Sequence, residues 1–179
     1  MRNDWLNVLL TVAYEIMMKH RLSTCLVLAL GITYPAFAQA DFVARVLIVH
    51  EGDRLTIHHQ GRKEMVYLRD IDCPEMKQPY GKQAKHATTV YVANRDVVVR
   101  DLKRDRQGRV TADILLEDGR HVAHELVKEG LAWAQQGKAS DQTLKDMEEL
   151  ARASAKGLWS EPNPIPPWKW KSAKTTGRN

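Results

Sequence analysis

The sequence predicts an α+β domain, a five-stranded β-barrel carrying about three helices. Three observations predict it. Five short runs rich in β-branched residues are separated by turn signals. One helical segment interrupts them, between the third run and the fourth. The remaining helical periodicity lies after the fifth run.

The first strand is Phe42 to Val49, closed by the turn Glu51-Gly52-Asp53. Leu55, Thr56 and Ile57 begin the second, and His58 to Arg62 turn the chain again. Met65 to Ile71 form the third. Pro74 and Pro79 bracket a loop, and Gly81 to Ala93 then show helical spacing through Ala84, Ala87, Val90 and Tyr91. Asp96 to Asp101 are the fourth strand, Asp105-Arg106-Gln107-Gly108 a turn, and Val110 to Leu116 the fifth. A helix with Val122, Leu126 and Val127 on its apolar face stops at Gly130. A last helix runs from about Ser140 to Ala155, with Leu144, Met147 and Leu150 inward and Ser140 and Thr143 as capping residues. This order is the OB-fold pattern, although order alone fits several α+β folds.

The chain has 179 residues, enough for one domain with a real core. Its net charge is +5 and its pI near 9.2. A mildly basic surface suits a polyanion, as it does many exported proteins that bind none. Lys19 and Arg21, the apolar run Leu26 to Ile32, and Ala38-Gln39-Ala40 before Asp41 read as a signal peptide over residues 1–40. Asp4 and Glu15 do not fit such a leader, so translation is expected to start at Met17 or Met18. Export then gives a secreted or periplasmic protein with no stable membrane association after cleavage. Only Cys73 of the two cysteines remains, and the core must hold the domain without a disulfide. Residues 41–160 form the folded domain, and residues 161–179 a semi-rigid, basic Pro/Trp-rich tail.

Asp53, Asp72 and Glu75 fall at loop ends that a barrel can bring together. Carboxylates and carbonyls hold hard cations, a further carboxylate can take a proton from water, and arginines stabilise phosphoryl charge. Taken singly, each residue also has an ordinary reading: a turn dipeptide, solvated loop acids, or, for Arg109, one more surface cation beside Lys103, Arg104 and Arg106. The seven histidines show no metal-ligand spacing.

Read in order, the motifs are Glu51-Gly52-Asp53-Arg54, Tyr67-Leu68-Arg69-Asp70-Ile71-Asp72-Cys73-Pro74-Glu75, Asp105-Arg106-Gln107-Gly108-Arg109, Leu126-Val127-Lys128-Glu129-Gly130-Leu131-Ala132 and Gly157-Leu158-Trp159. Over residues 42–170 the chain thereby resembles the staphylococcal nuclease (thermonuclease) family. The resemblance implies calcium-dependent cleavage of DNA and RNA by a monomer. It implies Asp53, Asp72 and the Cys73 carbonyl as metal ligands, Glu75 as general base and Arg109 as one of two phosphate-clamping arginines.

The second clamping arginine falls on Tyr67, a phenol that cannot make the charge-assisted bidentate contact. Arg69, on the expected strand face of Tyr67, and Arg54, after the first aspartate, are the candidate substitutes. The family's stacking tyrosines are absent: Gln107 takes one place, and Ala134-Gln135-Gln136-Gly137 lack the others. Two rival readings stay open. One is a nucleic-acid-binding module whose catalysis was lost at Tyr67. The other is an adaptor acting through the Pro/Trp tail.

Overall fold

Alternating side chains build the barrel wall, and register shifts in the first strand and between Arg100 and Lys103 bend it. In β1 (Phe42–Glu51), Ala44 and Val46 point inward, and a register shift between Val46 and Ile48 makes Val49 the next buried residue. In β2 (Arg54–His59), Leu55 and Ile57 face the core, leaving Arg54 and Thr56 outward. In β3 (Arg62–Leu68), Val66 and Leu68 are buried and Tyr67 faces out. Each such buried aliphatic side chain is worth about 1.5–3 kcal/mol. The structure, a computed structural model, describes residues 41–135 and 141–176. The expected leader and start sites, and Ser140, Gln136 and Gly137, lie outside the described residues.

β5 (Asp96–Arg104) and β6 (Val110–Leu115) complete a closed barrel in the order β1-β2-β3-β6-β5. All pairings are antiparallel except β3 with β6, and β1 with β5 closes the ring. The five-stranded OB-fold expected from the sequence is thus present. The third strand begins and ends three residues earlier than expected, at Arg62 and Leu68. The chain turns at Arg69 and Asp70, whose φ is 60°. It leaves the barrel and runs on as β4 (Ile71–Asp72), which pairs with β7 (Trp133–Ala134) in a separate two-stranded sheet.

The three expected helices are α1 (Gly81–Val92), α2 (Val122–Lys128) and α3 (Gln142–Ala153). Two inward faces differ from expectation. In α1, Val90 is exposed and Thr88 is buried, because the Thr88 hydroxyl donates to the Gly52 carbonyl at 2.6 Å. In α3, Leu150 is exposed, and the buried face is Leu144, Glu148 and Ala151. Asp141 caps α3 by accepting from the Thr143 backbone N–H at 2.8 Å.

The tail is more ordered than its prolines suggest. After a 3₁₀ turn (Gly157–Ser160), residues Pro167–Thr176 form α4, with Pro167 at the first helical position, where a missing N–H is harmless. Trp168 meets Trp133 edge-on at 6.4 Å between centroids, and Trp133 meets Trp159 at 5.2 Å. No helix among the described residues is long and apolar enough to cross a membrane.

Candidate functional site

A cleft of about 480 Å³ opens where the β1–β2 turn meets the exit from β3. Glu51, Asp53, Asp70, Asp72 and Glu75 line it, together with Arg54, Arg69, Arg109 and Lys171. Tyr67, Thr111 and Gln135 lie among them. Every candidate side chain named from the sequence reaches this cleft except Cys73, whose thiol is buried.

Asp53 is placed by backbone. Its carbonyl accepts from the Leu68 N–H at 2.8 Å, and its Oδ2 accepts from the Cys73 N–H at 2.8 Å. The first bond continues the antiparallel β2–β3 register, in which Arg54 faces Tyr67, and the second ties the turn to the residue after β4. Gly52 makes the approach possible. A Cβ there would lie 2.7 Å from Cys73 Sγ and 2.8 Å from the Ala84 Cβ.

Asp72 lies in β4 opposite Trp133. The small sheet is secured from α3: Glu148 Oε2 accepts the buried Ala134 N–H at 2.7 Å, and Arg152 Nε donates to Glu148 Oε1 at 2.8 Å. Gln135 joins the same edge, its N–H donating to the Asp70 carbonyl at 2.8 Å. Burial pushes the Asp53 carboxyl up to about 6; the Cys73 N–H opposes this, and the charge of Asp72 adds to it. Burial likewise raises Asp72, against the pull of Lys171. Two desolvated carboxylates therefore face each other with too little positive charge between them.

Glu75 sits in the loop before α1. The Gln78 N–H donates to its carbonyl at 2.8 Å, and its own N–H donates to Gln78 Oε1 at 3.1 Å. Gln78 is buried and also donates to the Ile165 carbonyl, which links this loop to the tail. From α4, Lys171 Nζ reaches Glu75 Oε1 at 2.8 Å. The sequence reading missed Lys171, Gln78 and Glu148. Glu148 was findable from its 144/148/151 spacing, but nothing local marks Lys171.

The arginines lie on the barrel side of the cleft. Asp105 shapes the β5–β6 turn, its Oδ1 accepting from the N–H groups of Gln107 and Arg109 at 3.0 and 2.8 Å. This turn, with Gly108 at φ 82°, presents Arg109, which is exposed and held by Asp105 Oδ2 at 3.2 Å. Arg69 lies past the end of β3, not on the strand face of Tyr67. Its guanidinium engages Asp113, Asp101 at 3.2 Å and Asp70 at 3.7 Å. Arg54 sits directly opposite Tyr67 in the β2–β3 register and pairs with Glu51 at 3.0 Å.

Barrel topology and this cleft define an OB-fold domain whose cleft is lined by both carboxylates and arginines. The chain belongs to the staphylococcal nuclease family: the family described as Staphylococcal nuclease homologue matches residues 65–161. It is similar to an Escherichia coli protein named "Uncharacterized endonuclease", 34% identical over 135 residues, covering 75% of this chain and 88% of that one. It is also similar to a Shigella flexneri protein named "Micrococcal nuclease", 33% identical over 152 residues, covering 79% and 87%. A Haemophilus influenzae "Uncharacterized endonuclease" is 33% identical over 128 residues, covering 71% of each chain.

Proposed function

We propose that this chain is a nuclease that hydrolyses phosphodiester bonds in DNA and RNA with calcium as cofactor. The observation that carries the reading is one cleft lined by Asp53, Asp72, Glu75 and Arg109 together. Family membership and relatives named as nucleases support it.

The donor set fits calcium. Asp53, Asp72 and the Cys73 carbonyl would offer hard oxygen donors, and the desolvation that raises both carboxyls, Asp53 buried and Asp72 half-buried, favours a cation beside them. Among the described residues no three or more His, Cys, Asp or Glu side chains stand close enough together to hold a metal ion by themselves. Two carboxylates and a carbonyl would leave an open sphere, as a cation shared with substrate requires. Bound there, calcium supplies a hard positive charge that neutralises the phosphate.

This chain's residues do the rest. Glu75 accepts the proton of an attacking water. The new P–O bond forms as the bond to the 5′-oxygen breaks, and that oxygen takes a proton from solvent water, leaving a 3′-phosphate and a 5′-hydroxyl. Arg109 holds a phosphoryl oxygen, where charge builds in the transition state. Lys171, on Glu75 in the structure, would have to yield when substrate arrives or turn to the phosphate itself. The protein acts as a monomer, exported through the leader at residues 1–40 to the periplasm or beyond. Detection of processed chains beginning at Asp41 in that compartment checks the export.

Tyr67 favours a second reading, a nucleic-acid-binding module with impaired catalysis. Glu75→Gln separates the two. For a nuclease it lowers the cleavage rate on the order of 10²–10⁴-fold while oligonucleotide affinity holds. An unchanged rate would remove Glu75 from the chemistry.

A further inference from the structure

We propose that Arg54 is a phosphate-contacting residue of this cleft, acting with Arg109 beside Tyr67. The inference deepens the nuclease reading and rests on it for the reaction, but not for the contact.

Three strands set the arrangement. The register aligns Arg54 of β2, Tyr67 of β3 and Thr111 of β6 in one outward row across the barrel wall. Arg109 enters from the turn just ahead of β6. The Arg54 and Arg109 Cζ atoms lie 5.9 and 5.8 Å from the centroid of the Tyr67 ring. One aromatic face system thus steadies two guanidinium groups. Both guanidinium groups line the cleft, where a phosphate oxygen can accept from either.

Arg54 is the group with capacity to spare. Among the described residues its carboxylate partner is Glu51, and its Nε is buried without a hydrogen-bond acceptor. An orphaned, partly desolvated guanidinium donor is costly, and a ligand that draws the side chain outward relieves it. Arg69 differs on each count, with Asp113, Asp101 and Asp70 around its guanidinium.

The test moves the charge one strand over. Three proteins are compared with wild type: Arg54→Thr, Tyr67→Arg, and the double variant Arg54→Thr/Tyr67→Arg. Cleavage of a single-stranded oligonucleotide is measured with calcium. Binding of the same oligonucleotide is measured against salt in a Glu75→Gln background. Arg54→Thr is expected to lower kcat/KM on the order of 10²-fold, and to reduce the slope of log affinity against log salt by about 0.7. The double variant should regain most of both losses, which a merely structural role for Arg54 would not allow. Unchanged cleavage and salt slope in Arg54→Thr would overturn the proposal and leave the nuclease standing. So would losses in both that the folded double variant does not recover. A wild type that binds but does not cut, with the slope still lowered by Arg54→Thr, would sink the nuclease reading and keep the contact.

Discussion

Gly52 shows how much of this site rests on a missing atom. A Cβ at that position would strike Cys73 Sγ and the Ala84 Cβ. The Gly52 carbonyl is also held by Thr88 from α1. Gly52→Ala should therefore destabilise the fold by about 1–3 kcal/mol through overpacking, seen as a lower denaturation midpoint in urea. An unaltered midpoint would mean the turn can move away, and with it Asp53. At the same scale, Tyr67 was legible as a departure from the family pattern, but its consequence was not. Whether Arg54 or Arg69 stands beside it depends on where β3 ends. That is decided by Asp70 taking a left-handed conformation, which its local sequence does not announce.

At the scale of elements, β4 and β7 matter more than their two residues each imply. They place Asp72, and α3 holds them through the buried Glu148 carboxylate on the Ala134 N–H. Glu148→Ala should cost about 1–3 kcal/mol by leaving that donor unpaired, and calcium affinity should fall with it; calorimetric titration checks the second effect. Stability lost with calcium affinity intact would detach Asp72 from metal binding. Five strands and three helices were readable because alternation and helical spacing are strong signals in β2, β6 and α2. β4 and β7 were not, since two-residue strands have no period. The Leu150 face of α3 was misread because a buried glutamate takes the inward place. α4 was hidden by its prolines. Pro167 starts the helix rather than ending one, and the Trp133 and Trp168 rings that dock it are far apart in sequence.

For the molecule as a whole, the acids of the cleft couple stability to pH and to cation. The Asp53 carboxyl titrates near 6 when folded and near 3.8 as an ordinary aspartate, so the folded state binds this proton more tightly. Its contribution to stability is therefore largest below pH 4 and is lost as pH rises toward 6 and above. A bound cation takes the proton's place. Saturating calcium should raise Tm more at pH 7.5 than at pH 5, as thermal melts at both pH values would reveal. Equal shifts would mean the cation does not meet Asp53. The most direct measurement is cleavage of single-stranded DNA by the purified protein, with calcium and with EDTA. The account predicts fragments ending in 3′-phosphate with calcium and intact DNA with EDTA. Intact DNA in both, from folded protein that still binds it, would contradict the nuclease.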